Sequence, residues 1–142
     1  MVLLALDFGD KTIGVAASDE LGWTAQPVRT IRRSNLPADL DALAQIVAER
    51  QPGRIVIGLP LNMDDTEGPR AEKSRWFSKK VAERFGLPIV LWDERLTTWE
   101  AERMLREMNV DSRKRREVID TVAAVVILKS YLDSGSPEQG IP

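Results

Sequence analysis

The sequence contains no cysteine and no histidine. Without thiols there is no disulfide, no thiolate metal site and no Cys nucleophile. Without imidazole, proton transfer near neutral pH falls to carboxylates, Lys, Tyr or a metal-bound water. Any metal site must then be built from oxygen ligands, which favours Mg²⁺ or Mn²⁺ over Zn²⁺. No run is long or apolar enough to span a membrane, and the start lacks the basic head and cleavage site of a signal peptide, so a cytoplasmic protein with no membrane partner is expected. Positive charge is also in short supply overall: the formal net charge is −2 and the pI near 5.3. Indiscriminate coating of nucleic acid is therefore disfavoured, while local basic patches stay open.

What is present suits a single domain with a real core: 142 residues, 43% hydrophobic and 30% charged. Leu3, Leu4, Ala5, Leu6 and Phe8 form a short buried-strand signal, Ile13, Val15 and Ala17 a second, and Gly9 and Asp10 turn between them. The reading is a β-hairpin with one carboxylate, Asp7, set inside its apolar first strand. An ionised Asp there costs several kcal/mol, on the order of other buried charges, unless hydrogen bonds, a cation or a metal meet it. The plain structural answer is a carboxylate bonded to the turn amides of Gly9 to Lys11; the functional answer needs further acids.

Gln26 to Arg33 alternates like a third strand at an edge, where its arginines are tolerated. Ser34, Asn35 and Pro37 start a helix whose apolar positions Leu36, Leu40, Leu43, Ile46 and Val47 recur up to Pro52-Gly53. Arg54 to Pro60 is a fourth strand, parallel to one of the others because a helix precedes it. The polar run Leu61 to Gly68 is a loop, Pro69 starts a helix reaching Phe85, and Pro88 to Trp92 is a fifth strand that ends in Asp93-Glu94-Arg95. Thr97 and Glu100 make a capping box for a helix through Met108. Asp111 and Ser112 cap a last helix, from about Arg113 to Leu132. The domain is expected over 1–133, with 134–142 a disordered tail.

Asp120 is the second unusual acid, at the head of an apolar stripe that continues through Ala124 and Ile127. Its structural alternative is a simple Arg116–Asp120 pair on one helix. With Asp7 and the Asp93-Glu94 pair, however, three acidic points stand at the edges of apolar elements, and a divalent cation would offset their repulsion. Arg113, Lys114, Arg115 and Arg116 sit at a helix start, where the macrodipole prefers anions. A phosphate clamp explains them better than local stability does. The four tryptophans, Trp23, Trp76, Trp92 and Trp99, are more simply core or rim packing than base-stacking platforms.

These residues fall into four stretches: ALDFGDKTIGVAASD from Ala5, IGLPLNMDDTEGP from Ile57, DERLTTWEAE from Asp93 and IDTVAAVVILKSYL from Ile119. In that order they resemble the motifs of the YqgF (RuvX) family, bacterial proteins described as pre-16S rRNA nucleases and as Holliday-junction resolvases. The resemblance covers nearly the whole chain. It implies an α/β, RNase H-like fold, a five-stranded mixed sheet of order 3-2-1-4-5 flanked by helices, and a carboxylate site for two Mg²⁺ or Mn²⁺ ions. Carried onto this sequence, the catalytic and metal-binding acids are Asp7, Glu94 and Asp120, with Asp93 as the alternative ligand. Lys11, Arg95 and Arg113 to Arg116 would hold substrate phosphates, supported by Gly9, Thr97 and Thr98.

Two positions depart from the family pattern: Thr12 stands where a basic residue is usual, and Asp65 where glycine is usual. The activity implied is metal-dependent phosphodiester hydrolysis of precursor rRNA, with branched four-way DNA as the alternative substrate and a non-catalytic RNA-binding assembly factor as the rival class. RNA trimming suits a monomer and junction resolution a homodimer. The hairpin also resembles that of actin-like and sugar-kinase ATPases, but no second phosphate hairpin is present.

Overall fold

Strand β1 (Leu3–Phe8) is the middle of five. Antiparallel β2 (Thr12–Ser18) lies on one side of it and parallel β4 (Arg54–Leu59) on the other. The edges are β3 (Ala25–Arg32), antiparallel to β2, and β5 (Ile89–Asp93), parallel to β4, giving the order β3-β2-β1-β4-β5. The expected mixed sheet is therefore found in the expected order. The computed structural model describes residues 1–95, 103 and 112–142, and of 112–120 only the backbone course. Of the helix expected from Thr97 to Met108, Arg103 alone lies among the described residues, and it is helical.

Alternation along β1 sorts two cores. Leu4, Leu6 and Phe8 face α1 (Leu36–Arg50) and α2 (Pro69–Phe85), packing with Leu40, Leu43, Ile46, Phe77 and Val81. Leu3 and Ala5 face the other way, onto α3 (Ser112–Asp133), with Ala124, Ile127, Leu128 and Tyr131. Large aliphatics fill the first face, whereas Ala5, Ala16 and Val56 on the second keep side chains short and let α3 lie close to the sheet. Asp7 shares the face of Leu3 and Ala5, because side chains alternate with a period of two.

Local signals explain the element ends. Asn35 caps α1 by accepting a 2.9 Å bond from the Ala38 amide, and Gln51 ends it at φ 49°. Gly86, at φ 65°, ends α2. Pro27 sits on edge strand β3 beside the register shift at Val15/Ala16, where a missing N–H is least costly.

Residues 134–142, expected to be disordered, run back along the edge strand. Arg54 Nη1 donates to the Tyr131 hydroxyl (2.8 Å) and to the Ser136 carbonyl (3.2 Å), Tyr131 donates to the Pro137 carbonyl, and the Ile141 amide donates to Leu91 O (2.8 Å). One backbone bond, from the Ile141 amide, thus reaches the outer edge of β5. No helix among the described residues is long and apolar enough to cross a membrane.

Candidate active site

Asp7 is buried, 8% exposed, at the C-terminal end of the central strand. Register fixes its neighbours: it pairs with Gly14 on β2, and Gly14 pairs with Thr30 on β3. On the other side Leu6 pairs with Ile57, so the next step of the parallel ladder sets Asp7 beside Gly58. Glycine thus stands in the neighbouring strand on both sides of the carboxylate.

Gly58 is where Glu94 enters. A Cβ built on Gly58 would run into the Glu94 carboxylate Oε2 and lie 2.6 Å from Ile127 Cδ1 of α3. Glu94 therefore leans over β4, on the α3 face and toward the strand that carries Asp7. Its backbone continues the β4–β5 ladder, the Glu94 amide donating to Leu59 O at 3.3 Å. Both Asp7 and Glu94 have polar or electrostatic partners of their own.

Asp93, one residue earlier, belongs to the opposite face. It is bound by Arg95, whose Nε donates to Oδ1 (3.1 Å) and Oδ2 (2.9 Å), whose Nη2 donates to Oδ2 (2.6 Å) and whose amide donates to Oδ1 (3.0 Å). Burial pushes the Asp93 carboxyl up, but the side-chain and backbone hydrogen bonds and the charge of Arg95 outweigh it and hold the group below its ordinary value. Of the two adjacent acids, the one brought toward Asp7 is Glu94.

The other sequence-predicted residues divide clearly. Arg95 is engaged by two carboxylates, Asp93 and, through Nη1, Asp65. Asp65 holds φ 70° in the β4–α2 loop, a conformation that favours glycine and that Asp tolerates. The departure from the family pattern at this position thus keeps the glycine-like backbone and adds a partner for Arg95. Gly9 is buried in the hairpin turn, its amide donating to Thr12 O (2.9 Å), and Lys11 is exposed beside it. Arg113 to Arg116 fall in the opening turns of α3 and Asp120 in the turn before the buried Ala124; their side chains lie outside the described residues, as do Thr97 and Thr98.

Two contacts fix the course of α3. Thr121, next to Asp120, is hydrogen-bonded through Oγ1 to Thr30 on the cross-strand row of Asp7. Ile127, two turns on, lies over Gly58. Among the described residues no group of three or more acids gathers around one point. Asp7 and Glu94 offer carboxylate oxygens, the donor type that hard divalent cations take.

Gly58 was missed by sequence reasoning. Its signal was a glycine inside the apolar strand Ile55-Val-Ile-Gly-Leu59, which marks a close approach by another group. The tryptophans split. Trp92 packs edge-on against Tyr131 (5.2 Å) and donates to Ser130 Oγ (3.1 Å), Trp23 is 79% and Trp76 45% exposed, and Trp99 lies outside the described residues. Packing thus accounts for Trp92, whereas Trp23 and Trp76 are surface residues.

Comparison with known proteins identifies the family and the fold. A family model described as "RuvX: Holliday junction resolvase" matches residues 1–134. The chain belongs to the RuvX family. A RuvX relative from Desulforamulus reducens, named "Putative pre-16S rRNA nuclease", is 52% identical over 136 residues, covering 96% of this chain and 99% of its own. One of the same name from Myxococcus xanthus is 53% identical over 137 residues, covering 96% and 91%. Among solved structures, Thermus thermophilus RuvC in complex with Holliday junction substrate is similar with a TM-score of 0.57 at 16% identity, covering 96% of this chain and 97% of that one. The RuvX chain therefore has the RNase H-like fold of RuvC-type resolvases.

Proposed function

We propose that this RuvX chain is a cytoplasmic, metal-dependent nuclease that hydrolyses phosphodiester bonds in precursor 16S rRNA. The observation that carries the reading is the approach of Glu94 over Gly58 toward Asp7, on the face covered by α3. Asp7 on the central strand and Glu94 past β5 would hold divalent cations, Mg²⁺ or Mn²⁺, with Asp120 of α3 completing a set for two ions. When bound, such ions lower the pKa of an attacking water and stabilise charge on the leaving oxygen in an in-line displacement.

The chain's own residues do the positioning. Asp7 is paired with Gly14 on β2 and directly follows the β1–β4 ladder that ends at Leu6–Ile57, so its carboxylate is carried by the central strand of the sheet. Arg95 binds Asp93 and thereby fixes the turn from which Glu94 faces the other way. Lys11 at the hairpin turn and Arg113 to Arg116 at the start of α3 supply charge for substrate phosphates, a task that Arg95, already matched by two carboxylates, is less suited to. No imidazole is needed, in keeping with its absence.

RNA is favoured over a DNA junction because relatives above 50% identity carry the rRNA nuclease name, whereas the junction-bound neighbour is 16% identical. The family description keeps the junction as the comparator. The experiment is a side-by-side Mn²⁺ assay on single-stranded RNA, structured precursor 16S rRNA and a four-way DNA junction. Cutting at the precursor's 5′ end is expected. Cutting of the junction alone would reverse the substrate assignment, and cutting of none would leave a binding protein.

A further inference from the structure

The hairpin turn after Asp7 builds a second feature, on the opposite face of the sheet. Phe8 points toward α2 and stacks on Phe77, ring centroids 4.1 Å apart and planes within 13°. Arg33, the residue after β3, sets its guanidinium 4.2 Å from the Phe8 ring centroid and donates through Nη1 to the carbonyls of Gly9 (2.7 Å) and Asp10 (3.0 Å). A ring face and two carbonyls immobilise the cation without cancelling its charge. Beside it lies an open concavity of about 180 Å³ lined by Phe8, Gly9, Asp10, Arg33, Arg70 and Lys73. Arg70 and Lys73 come from the first turn of α2, and neither forms an ion pair among the described residues.

Three cations therefore converge against one carboxylate, Asp10, on a chain whose net charge is −2. Helix stability does not account for this, since cations in a first turn oppose the macrodipole. The hollow is shallow, open to solvent and lined by cations, so it suits a compact anion better than a nucleobase. Gly9 and Asp10 follow Asp7 by two and three residues, in the turn that ends β1, so the concavity lies close to Asp7 along the chain and within a few nucleotides' reach of one nucleic-acid strand.

We propose that this concavity binds a backbone phosphate of the same strand whose scissile phosphate lies at Asp7, across the hairpin turn. The choice of strand rests on the nuclease reading; the phosphate chemistry rests on Arg33, Arg70 and Lys73 alone. Arg33 supplies fixed N–H donors and Arg70 and Lys73 supply adjustable charge, so the site grips backbone irrespective of sequence.

The test is binding of a fluorescently labelled single-stranded RNA, followed by anisotropy over a salt series in EDTA so that nothing is cut. The wild type is compared with Arg70→Gln/Lys73→Gln and with Lys79→Gln/Lys129→Gln, an equal charge change at two exposed lysines elsewhere. Circular dichroism melts check folding. The first variant is expected to weaken binding roughly tenfold and to lower the salt slope by about 1, as loss of a phosphate contact does; the second is expected to change Kd less than about twofold. Equal losses in both would overturn the proposal. So would displacement studies in which inorganic phosphate occupies the hollow, by the same variants, without affecting RNA. A selective loss of RNA binding in Arg70→Gln/Lys73→Gln, beside a wild type that cuts nothing with Mn²⁺, would uphold the phosphate site while removing the nuclease reading.

Discussion

The Glu94 carboxylate lies over Gly58, in the space that any larger residue at position 58 would fill. Gly58→Ala is therefore expected to push Glu94 and Ile127 apart. Strand propensity gains by up to about 1 kcal/mol from the change, but overpacking costs about 1–3 kcal/mol. A net destabilisation of about 0–2 kcal/mol in urea unfolding is expected, with Mn²⁺-dependent RNA cleavage reduced well beyond what the lost stability explains. Unchanged cleavage would mean that Glu94 does not need this seat.

Asp93 gives the account an acid-pH signature. Its carboxyl is held below the ordinary carboxylate range, by Arg95 acting against burial. A group lowered on folding adds stability that is present above its unfolded pKa, near 3.9, and lost as pH falls through the folded value. Thermal melts of the wild type should therefore fall as pH drops below about 4, and Arg95→Met should flatten that part of the profile. A profile unaffected by the substitution would contradict the assignment of Arg95 as the partner.

Asp65 tests the departure at the loop. Asp65→Gly removes a non-glycine residue from φ 70° and at the same time removes one of the two carboxylates on Arg95. The two effects oppose, so the Tm should hardly move. With less negative charge beside it, Arg95 should become available to RNA and the Kd should fall. A large drop in Tm would show that the loop depends on the Asp65–Arg95 pair.

Tyr131→Phe removes the hydroxyl that accepts from Arg54 and donates to Pro137 O. A stability loss of about 1–2 kcal/mol is expected for a hydrogen-bonded group in a packed site. Hydrogen exchange at the Ile141 amide, bonded to Leu91 O, should accelerate more than exchange in β1. Equal protection in wild type and variant would show that the tail is held by other contacts.

Much of this molecule was legible as sequence, for identifiable reasons. The hairpin, the parallel strands and the first two helices announce themselves through period-two and helical spacing, with Asn35, Pro52-Gly53 and Pro69 marking ends. Asp7 stood out because an acid inside an apolar strand is costly. Asp93 and Glu94 could not be told apart, because adjacent residues differ only in which face they present, and the β4–β5 register decides that. The Asp65–Arg95 contact spans thirty residues and leaves no local pattern. Residues 134–142 have the composition of a flexible segment, and composition carries no sign of the contacts they make with Arg54, Tyr131 and Leu91.

The most direct test of the central claim is cleavage of precursor 16S RNA in Mn²⁺ by the wild type and by Asp7→Asn, with matched circular dichroism spectra. The folded Asp7→Asn protein is expected to cut no faster than background, because in the proposed function the carboxylate that would hold a cation has become a neutral amide. An Asp7→Asn protein that cuts at the wild-type rate would contradict it.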